Sequence, residues 1–513
     1  SGVPELAARP RLNCAVELLD AMVASGHGAR TAFVFPGGRW SYEELLVRAN
    51  RIAAVLRDDL GVVPGNRVLL RGTNHPVMAA CWLAVLKAGG ICVTTMPLLR
   101  ARELATIAEK ARVEFALTDA RLAADLHDAA RAAPVLRRIL AFNTDAADGL
   151  DSLAAGKPEG FDAVATAAED TALIAFTSGT TGQPKGTMHS HRDVLAVCDT
   201  FSRQVLRPDP DDLFCGSPPL AFTFGLGGLL LFPLRAGAST LLLEQAPPPQ
   251  LVQGIQDFRA TVAFTAPTAY RAMAALAGDF DLSSLKKCVS AGETLPLATF
   301  EAWRQATGLS IIDGIGSTEM LHIFISASGD DIRPGSTGVP VPGYTATVLD
   351  DAGEPAPPGT LGRLAVRGPT GCRYLADPER QRRYVENGWN VTGDTYRVDG
   401  DGYYWYQARN DDMIISSGYN IAGPEVENAL LEHPGVTECA VVGVPDEERG
   451  RVVKAFVVLR EGWEAGDATA KALQDFVKGH IAPYKYPRRV EFAEALPRTA
   501  TGKLQRFRLR EDA

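Results

Sequence analysis

The chain has 513 residues, of which 46% are hydrophobic and 22% charged, and this globular composition argues against long disordered stretches. Its formal net charge of −9 excludes the broad basic surface that attracts nucleic acid or an anionic membrane, so we expect neither as a partner. A single hydrophobic core rarely serves so long a chain, and more than one domain is therefore expected.

The cysteines and the apolar stretches indicate the compartment. Eight cysteines form no CxxC pair and no cluster with the eight histidines, which favours reduced, buried thiols over a structural zinc site. The stretch "GLGGLLLFPL" is too short and too interrupted by Gly and Pro to span a bilayer. The first residues, "SGVPELAARP", lack the hydrophobic region of a signal peptide. These features predict a cytoplasmic location.

The first part of the chain alternates helical and strand patterns. Ser41 and Glu44 can form a capping box ahead of apolar residues at helical spacing from Leu45 to Leu56, and Gly61 follows this predicted helix. The segments "RVLLRG", "PVMAACWLAVLKAGG" and "ICVTTMP" then predict strand, helix and strand. Strand patterns recur at "ALIAFTS", "STLLLE", "TVAFTAP" and "LKKCVSAGE", and the helix "TAYRAMAALAG" follows the third. This alternation predicts an α/β fold, in which helices flank parallel or mixed sheets.

The later part of the chain has a different pattern. From about residue 338 it shows short strands and turns, as in "GRLAVRG" and "DGDGYYWYQAR", which predict a smaller antiparallel sheet. After a polar "NDD" junction come the helix "GPEVENALLEHPG", the strands "ECAVVGVP" and "VKAFVVLR", and the helix "KALQDFVKGHI". We therefore predict a large N-terminal domain, residues 1–410, and a small α+β C-terminal domain, residues 411–513.

The run "TSGTTGQPKG", residues 177–186, concentrates small polar residues between the predicted strand "TALIAF" and a predicted helix, "TMHSHRDVLAVCDTF". Backbone N–H groups and hydroxyls in such a turn can surround a phosphate, and Lys185 adds a positive charge. The order "PKGT" excludes a Walker A loop, which requires Gly-Lys followed by Ser or Thr. A mobile surface loop is the alternative, and the Pro-Lys-Gly exit between anchored ends favours phosphate binding over it.

The same run resembles the signature of the adenylate-forming superfamily, which comprises acyl-CoA synthetases, peptide-synthetase adenylation domains and firefly-type luciferases. Further matching segments follow in order: "SAGE" at 290–293, "DGIGSTE" at 313–319, "TGD" at 392–394, "ARNDDMI" at 408–414, "SSGYNIAGPEVE" at 416–427 and "PRTATGK" at 497–503. The resemblance implies a large N-terminal domain and a small, mobile C-terminal one. It also implies a reaction in which a carboxylate attacks the α-phosphate of ATP, giving acyl-AMP and pyrophosphate, with ATP, Mg²⁺ and CoA as cofactors.

The resemblance assigns nucleotide contacts to several of these motifs. The implied phosphate-binding residues are Thr177, Ser178, Gly179, Thr180, Thr181, Gly182 and Lys185. The implied contacts to adenine and its surroundings are Gly292, Glu293, Asp313, Gly314, Ile315, Gly316, Ser317 and Thr318. Ile315 stands where many relatives have a stacking tyrosine, so adenine would gain apolar contact without aromatic stacking. Asp394 would accept the ribose hydroxyls, with Arg409 beside it.

The resemblance also implies catalytic roles. Lys503 would be the catalytic lysine of adenylation, because its ammonium can neutralise the carboxylate and α-phosphate as they approach each other. Glu319 would hold Mg²⁺, with Thr318 next to it as a second catalytic residue. The signature around Lys503 resembles sites of lysine acetylation, so a lysine acetyltransferase is a candidate partner. The residues implied in thioester formation are the hinge, Asp411, and the loop residues Ser417, Gly418 and Tyr419.

The acid-binding region most resembles benzoate- and 2-aminobenzoate-CoA ligases. Its implied residues are Phe222, Thr223, Phe224, Gly316, His322 and Ile323. Phe222 stands where many relatives have a histidine, and His322 follows Glu319 by three residues. An aromatic pocket with one imidazole suits a small aromatic carboxylic acid. The residues leave open whether His322 contacts the acid or is a satisfied buried histidine.

The resemblance thus implies an ATP-dependent aryl-CoA ligase, and two alternatives remain. The first is an adenylation enzyme that loads an aromatic acid onto a carrier protein; because no carrier domain follows Lys503, free CoA is favoured. The second is an inactive nucleotide-binding relative, against which the retained Lys503, Glu319 and Asp394 argue. Luciferase-like oxygenation is disfavoured because Phe222 replaces the histidine. Both a monomer and a homodimer are compatible with the sequence.

Overall fold

The computed structural model describes residues 9–177, 184–409, 412–416, 419–446, 449–481, 483–498 and 504–511. Within these ranges the α-helices are α1 (Tyr42–Asp58), α2 (Pro76–Lys87), α3 (Ala101–Ala111), α4 (Ala123–Ala132), α5 (Leu150–Ala155), α6 (His191–Val197), α7 (Thr223–Leu226), α8 (Phe232–Ala236), α9 (Pro248–Phe258), α10 (Pro267–Leu276), α11 (Leu297–Thr307), α12 (Pro378–Tyr384), α13 (Gly423–Leu431), α14 (Asp467–His480) and α15 (Arg506–Glu511). Short π-helical segments occur at Val16–Asp20, Val23–His27, Cys198–Leu206 and Gly227–Leu231, and single 3₁₀ turns at Ala120–Leu122, Ala277–Asp279, Gly329–Asp331 and Pro483–Lys485.

The strands alternate with helices in the first part of the chain, as predicted, and follow one another with fewer helices between them in the second. In chain order they are β1 (Thr31–Phe35), β2 (Gly38–Ser41), β3 (Arg67–Arg71), β4 (Ile91–Thr95), β5 (Phe115–Asp119), β6 (Arg138–Phe142), β7 (Thr171–Thr177), β8 (Lys185–Ser190), β9 (Leu213–Gly216), β10 (Ser239–Leu241), β11 (Val262–Thr265), β12 (Lys287–Ser290), β13 (Ile311–Gly316), β14 (Ile323–Ser326), β15 (Val339–Pro340), β16 (Thr345–Leu349), β17 (Leu361–Arg367), β18 (Arg373–Tyr374), β19 (Val385–Glu386), β20 (Trp389–Val398), β21 (Tyr404–Arg409), β22 (Ile414–Ser416), β23 (Tyr419–Ile421), β24 (Val436–Asp446), β25 (Gly450–Leu459) and β26 (Arg489–Phe492).

Two large sheets form the main body of the described residues. One has nine strands in the order β15-β14-β13-β12-β11-β9-β10-β1-β2, and the other has seven in the order β18-β8-β7-β4-β3-β5-β6. The strands from β13 to β1 in the first order run parallel, as do those from β7 to β6 in the second. Antiparallel strands complete the edges. The predicted α/β class is confirmed.

Helices α1 and α2 pack against each other, and each contacts one of the large sheets. Their apolar residues belong to one core cluster that includes Phe33 of the first sheet and Leu70 of the second. Helix α1 begins as predicted: the Ser41 hydroxyl accepts the Glu44 N–H, and the Glu44 carboxylate accepts the Ser41 N–H at 2.8 Å. Helix α2 is buried along its whole length, Trp82 included, which explains its nearly continuous apolar sequence.

The later part of the chain also folds as its pattern predicts. Strands β16, β17, β20 and β19, with β21 against β20, form an antiparallel sheet. Helices α13 and α14 cover the β24-β25-β26 sheet through an apolar cluster that includes Val426, Val441 and Val477. This unit therefore has its own core, as a separate domain requires. The boundary between residues 410 and 411 lies outside the described residues and stays a prediction.

One predicted helix is partly a strand. The sequence predicts a helix from Thr187, but residues 185–190 form β8, which is antiparallel to β7, and α6 begins only at His191. Buried side chains lie on both faces of β8, so the strand lacks the alternation that would have revealed it. Ser190 and Asp193 form the capping box that starts α6. The run 177–186 therefore joins two antiparallel strands, and the predicted strand-to-helix turn was wrong.

All eight cysteines are buried and none is in a disulfide. Within the described part of the chain, no helix has the length and hydropathy needed to cross a membrane.

Candidate active site

A cleft of about 1500 Å³ opens where the first large sheet, the antiparallel sheet and the C-terminal unit meet. Thr177 at the end of β7 and Asp313 on β13 line it, together with Asp394 on β20. The C-terminal unit contributes Arg498 and Leu504, which flank the segment 499–503. The cleft thus gathers residues from most of the motifs that the sequence singles out, at the carboxyl ends of parallel strands where ligands of α/β proteins commonly bind.

Glu319 lies on the turn after β13, and two neighbouring strands hold this turn. Tyr374 on β18 donates its hydroxyl hydrogen bond to Glu319 Oε1 at 2.8 Å. His189 on β8 is fully buried and donates from Nε2 to the Thr318 carbonyl at 2.7 Å. Because β8 and β18 pair with each other, the Glu319 turn is anchored to the hairpin that carries Lys185.

Positive charge is concentrated near Glu319. Burial lowers the pKa of the Lys185 ammonium, the nearby Arg380 and Arg409 lower it further, and the negative charge of Glu319 opposes this shift. The Arg380 guanidinium also lies 5.8 Å from the ring centroid of Tyr374. Arg380 and Arg409 each pair with an aspartate, so Lys185 and Glu319 are the charges here that a polyanion bound to a metal cation can engage directly.

Asp394 and Arg409 face each other across the β20–β21 pair. Arg409 Nη1 donates to Asp394 Oδ1 at 3.1 Å. Asp394 is only 8% exposed, and burial raises its pKa, while the Arg409 charge opposes the rise. This carboxylate lines the cleft and has acceptor positions beyond the one Arg409 uses, so it can accept both hydroxyls of a ribose.

The β13–β14 pair requires glycine at two positions. A Cβ on Gly314 would lie 2.7 Å from Ile323 Cγ2, and one on Gly316 would lie 2.7 Å from the His322 carbonyl oxygen. Any side chain at either position would therefore separate the strands. Asp313 on β13 lines the cleft, and burial raises the pKa of its carboxyl to about 7, while hydrogen bonding from Ser290 and from the Gly314 backbone opposes the rise. A carboxyl group on the cleft wall suits a ligand with an N–H donor, such as adenine.

The loop after β12 contacts the C-terminal unit. Glu293 accepts hydrogen bonds from the backbone and hydroxyl of Thr268 and from Arg498 Nη1, the last at 3.5 Å. Arg498 also pairs with Glu438 on β24. Gly292 has a φ of +90°, a conformation that glycine adopts without strain. Arg498 therefore bridges the predicted adenine loop and the C-terminal unit.

His322 lies among aromatic rings rather than on the cleft wall. Its ring centroid is 5.5 Å from Phe201, 5.8 Å from Phe224 and 4.6 Å from Phe232. By hydrogen-bond geometry neither ring nitrogen has a partner among the described residues, although the Phe224 backbone lies close enough to favour the protonated ring. Burial lowers its pKa to about 3, against a weaker opposing effect of the Phe224 backbone, and the imidazole is therefore neutral at neutral pH.

The other predicted acid-binding residues cluster around this histidine. Phe222 and Thr223 are half-buried at the start of α7, and Phe224 packs 5.5 Å from Phe264. Ile323 is buried on β14 next to His322. Of the predicted acid-binding set, Gly316 alone is among the residues that line the cleft, so the structure groups the rest in an aromatic region adjoining it.

Family models match most of the chain. The AMP-binding enzyme model matches residues 21–374, and the AMP-binding enzyme C-terminal domain model matches residues 425–503. The chain belongs to the AMP-binding enzyme family. The benzoate–CoA ligase of Thauera aromatica is 36% identical over 99% of this chain and 97% of its own. The 3-hydroxybenzoate–CoA ligase of Aromatoleum sp. (strain CIB) is 31% identical over 98% of this chain and 97% of its own.

A solved structure extends the similarity to the whole fold. An anthranilate CoA ligase in complex with anthranoyl-AMP has 35% sequence identity to this AMP-binding enzyme and a TM-score of 0.94, and the match covers 99% of both chains. The predicted resemblance to the adenylate-forming superfamily, close to benzoate- and 2-aminobenzoate-CoA ligases, is confirmed.

Several predicted site residues of this AMP-binding enzyme lie outside the described residues. They are Ser178, Gly179, Thr180, Thr181, Gly182, Asp411, Ser417, Gly418 and Lys503. Tyr419 is described only as the first residue of β23, which pairs with β22. The roles of all these residues stay predictions.

Sequence reasoning missed three residues at the site. Arg498 stands within the quoted segment "PRTATGK", so its proximity to Lys503 in the chain was a usable signal. Tyr374 and His189 gave no local signal, because each reaches the Glu319 turn from a strand distant in sequence.

The residues present fit the Mg²⁺ that the family resemblance implies. In nucleotide sites Mg²⁺ is commonly held by one or two carboxylates together with substrate phosphates and water. Glu319 offers Oε2, which the Tyr374 bond leaves unused. No group of three or more His, Cys, Asp or Glu side chains that could hold a metal ion occurs in the described ranges.

Proposed function

We propose that this AMP-binding enzyme is an ATP-dependent aryl-CoA ligase. It would convert an aromatic acid of the benzoate or 2-aminobenzoate type to acyl-AMP and then to its CoA thioester. The observation that carries the proposal is the 36% identity to a benzoate–CoA ligase over nearly the whole of both chains. The aromatic rings around His322 and the similarity to an anthranilate CoA ligase support the same class of acid.

In the first half-reaction the carboxylate of the acid attacks the α-phosphate of ATP, and pyrophosphate leaves. A carboxylate is already ionised at neutral pH, so the chain must neutralise charge rather than remove a proton. We assign Lys185 to the outgoing phosphates, Asp394 to the ribose and Lys503 to the reacting oxygens. Mg²⁺ held by Glu319 would neutralise charge on the phosphate oxygens.

In the second half-reaction the sulfur of CoA attacks the acyl carbonyl carbon, and the bond from that carbon to the phosphate oxygen breaks. The products are the thioester and AMP, and the thiol proton passes to solvent. In our proposal the C-terminal unit turns about Asp411 and brings the loop around Gly418 to the acyl-AMP. The bridge from Arg498 to Glu293 must break during that turn, because Arg498 belongs to the moving unit. The cytoplasmic location and the choice between monomer and homodimer stay predictions.

A substrate panel tests the proposal. Pyrophosphate release is measured with benzoate, 2-aminobenzoate, hydroxybenzoates, cinnamate and a fatty acid, with CoA present or withheld, and the product is identified by mass spectrometry. We expect the highest kcat/KM among the benzoates, and thioester only with CoA. Turnover restricted to fatty acids would overturn the proposal. Transfer to a phosphopantetheinylated carrier protein but not to CoA would support an adenylation enzyme that loads a carrier protein. Failure to form acyl-AMP from any acid would support an inactive nucleotide-binding protein.

His322→Ala tests whether this residue contacts the acid. A neutral imidazole can donate one hydrogen bond and accept another, so we expect KM for 2-aminobenzoate to rise about 10-fold, with a smaller effect on kcat. Its pKa of about 3 means that the charged form appears only far below neutral pH. The ratio of wild-type to variant kcat/KM should therefore stay constant from pH 6 to pH 8.

Phe232→Leu is the matched control for this variant, because it changes the packing around His322 while keeping both nitrogens. It should impair benzoate and 2-aminobenzoate to the same degree. If His322→Ala leaves kcat/KM for every acid unchanged, the imidazole has no part in acid binding.

A further inference from the structure

The orientation of the Glu319 carboxylate depends on a residue that lies 55 positions away in the chain. Among the described residues, the hydrogen bond that the structure gives this carboxylate comes from the Tyr374 hydroxyl, at 2.8 Å from Oε1. A carboxylate on a turn otherwise rotates freely about its side-chain bonds, and a hydrogen bond to one of its oxygens removes much of that freedom. Oε2 is then left for a cation.

Tyr374 is itself held on several sides. It is 8% exposed, and it pairs with Thr187 on the neighbouring strand β8. Its backbone N–H donates to Gln381 Oε1 at 2.8 Å. Its ring packs edge-on against Tyr384, with the centroids 5.7 Å apart and an interplanar angle of 87°. The phenol oxygen is therefore fixed before any ligand binds.

The position of Tyr374 also links two parts of the phosphate site. Strand β18 pairs with β8, which begins at Lys185, so the same strand pair positions the backbone next to Lys185 and, through the phenol, the Glu319 carboxylate. The Arg380 guanidinium lies over the Tyr374 ring at 5.8 Å. Displacing Tyr374 would disturb the relative placement of the groups that we assign to the phosphates and their cation.

We propose that Tyr374 is a positioning residue, which holds the Glu319 carboxylate so that Oε2 meets the divalent cation of the ATP complex. The inference rests on the proposed function, since it takes Glu319 as the cation ligand. Tyr374 touches neither the nucleotide nor the acid in this scheme and acts only through Glu319. Outer hydrogen-bond partners of metal ligands typically change metal affinity about 10-fold or more when removed.

Tyr374→Phe tests the inference by direct cation binding. Mn²⁺ is titrated into the full-length enzyme with a non-hydrolysable ATP analogue, and free Mn²⁺ is followed by electron paramagnetic resonance. We expect the Kd for Mn²⁺ to rise about 10-fold in Tyr374→Phe. The affinity for the analogue in EDTA should stay within about 2-fold of wild type, because the adenine and ribose contacts do not involve Tyr374.

Tyr384→Phe is the matched control. It removes a buried phenol from the same tyrosine pair without removing a hydrogen bond to the Glu319 carboxylate. Burial raises the pKa of the Tyr384 hydroxyl, and hydrogen bonding with the Ser317 side chain opposes the rise. Its Kd for Mn²⁺ should stay within about 2-fold of wild type. If both variants weaken Mn²⁺ binding equally, the effect comes from packing, and the positioning role is wrong.

Two further variants keep the test decisive. In a Glu319→Gln background, adding Tyr374→Phe should weaken Mn²⁺ binding by less than about 2-fold, because the phenol acts through the carboxylate. If Tyr374→Phe melts far below wild type, Gln381→Ala replaces it. This change frees the Tyr374 backbone N–H but keeps the phenol, and we expect the Kd for Mn²⁺ to rise about 3-fold.

The outcomes separate this inference from the proposed function. Suppose that the wild-type enzyme binds the ATP analogue and Mn²⁺. If the Kd for Mn²⁺ of Tyr374→Phe then equals that of wild type, the positioning role is contradicted and the ligase proposal stands. Where Tyr374→Phe does not fold, Gln381→Ala takes its place in this comparison. A wild-type enzyme that binds neither contradicts both. Loss of analogue affinity in EDTA in Tyr374→Phe would show a general disruption of the site and would also contradict the inference.

Discussion

Replacing Lys503 by alanine is expected to slow the release of pyrophosphate by at least about 100-fold, the effect typical of removing one group that stabilises developing negative charge. The substrate carboxylate and the α-phosphate are both anionic, and their approach is opposed by charge repulsion that a compact ammonium can offset. Thioester formation from added acyl-AMP and CoA should be little affected, because no second anion approaches the phosphate in that step.

The described residues on either side of Lys503 support its assignment to this cleft. Arg498 and Leu504 pair with each other across the segment 499–503, and the Gln505 N–H donates to the Pro497 carbonyl at 2.8 Å. Arg498 and Leu504 line the same cleft as Glu319 and Asp394. The ends of the segment are thus fixed at the cleft by described contacts.

The measurement compares the two half-reactions for each variant. Lys471→Ala is the matched control, since Lys471 lies on the exposed side of α14 and pairs only locally with Asp475, and both half-reactions should remain near the wild-type rate. Lys503 acetylated by a lysine acetyltransferase should behave like the alanine variant, because acetylation removes the charge. Equal loss of both half-reactions in Lys503→Ala would contradict a role confined to adenylation.

Asp394→Ala is expected to raise KM for ATP by at least about 100-fold. Two ribose hydroxyls that donate to one charged acceptor each contribute on the order of 1.5 to 3 kcal/mol, and about 1.4 kcal/mol corresponds to a tenfold change in affinity. Arg409, the partner left behind, has a side chain that is 49% exposed, so water can solvate it and the fold should persist. KM for ATP is obtained from initial rates of pyrophosphate release, and AMP affinity from calorimetry.

The pH dependence adds a second expectation. Burial raises the pKa of Asp394, so the carboxylate is protonated, and loses acceptor capacity, at a higher pH than an exposed aspartate. The affinity of the wild type for ATP should therefore be full above this raised pKa and fall as the pH drops through it. Asp394→Asn, which carries no titrating group here, should lack that acid-side decrease.

Asp401→Ala is the control for both measurements. Asp401 lies in the exposed turn of the same β20–β21 hairpin, where it pairs with Arg333 at 2.9 Å. KM for ATP in this variant should stay within about 2-fold of wild type. A value for Asp394→Ala within about 3-fold of wild type would remove Asp394 from the ribose site.

Local patterns predicted much of this architecture because they act over short stretches of chain. The capping box at Ser41 and the fully apolar run of α2 each leave a mark in neighbouring residues, and both elements form as expected. The motifs that line the cleft, such as "DGIGSTE" and "TGD", were likewise readable as short strings. Helix and turn chemistry depend mainly on residues within one or two turns of each other.

The misread segment shows where that reasoning ends. Strand β8 has buried residues on both faces, and a doubly buried strand has no polar alternation to distinguish it from a buried helix. Strand β8 pairs with β7 just before it in the chain and also with β18, whose residues lie nearly two hundred positions away. Such a partner cannot be inferred from the strand's own residues.

The sequence by itself determined the α/β class and the family, and it singled out motif residues that line the cleft, such as Asp313, Glu319 and Asp394, because these depend on local periodicity and on short motifs. The tertiary structure alone decided that Tyr374 holds Glu319, that Arg498 bridges Glu293 and Glu438, and that aromatic rings surround His322. These contacts join side chains far apart in the chain, and only the packing of whole sheets and helices brings them within hydrogen-bonding distance.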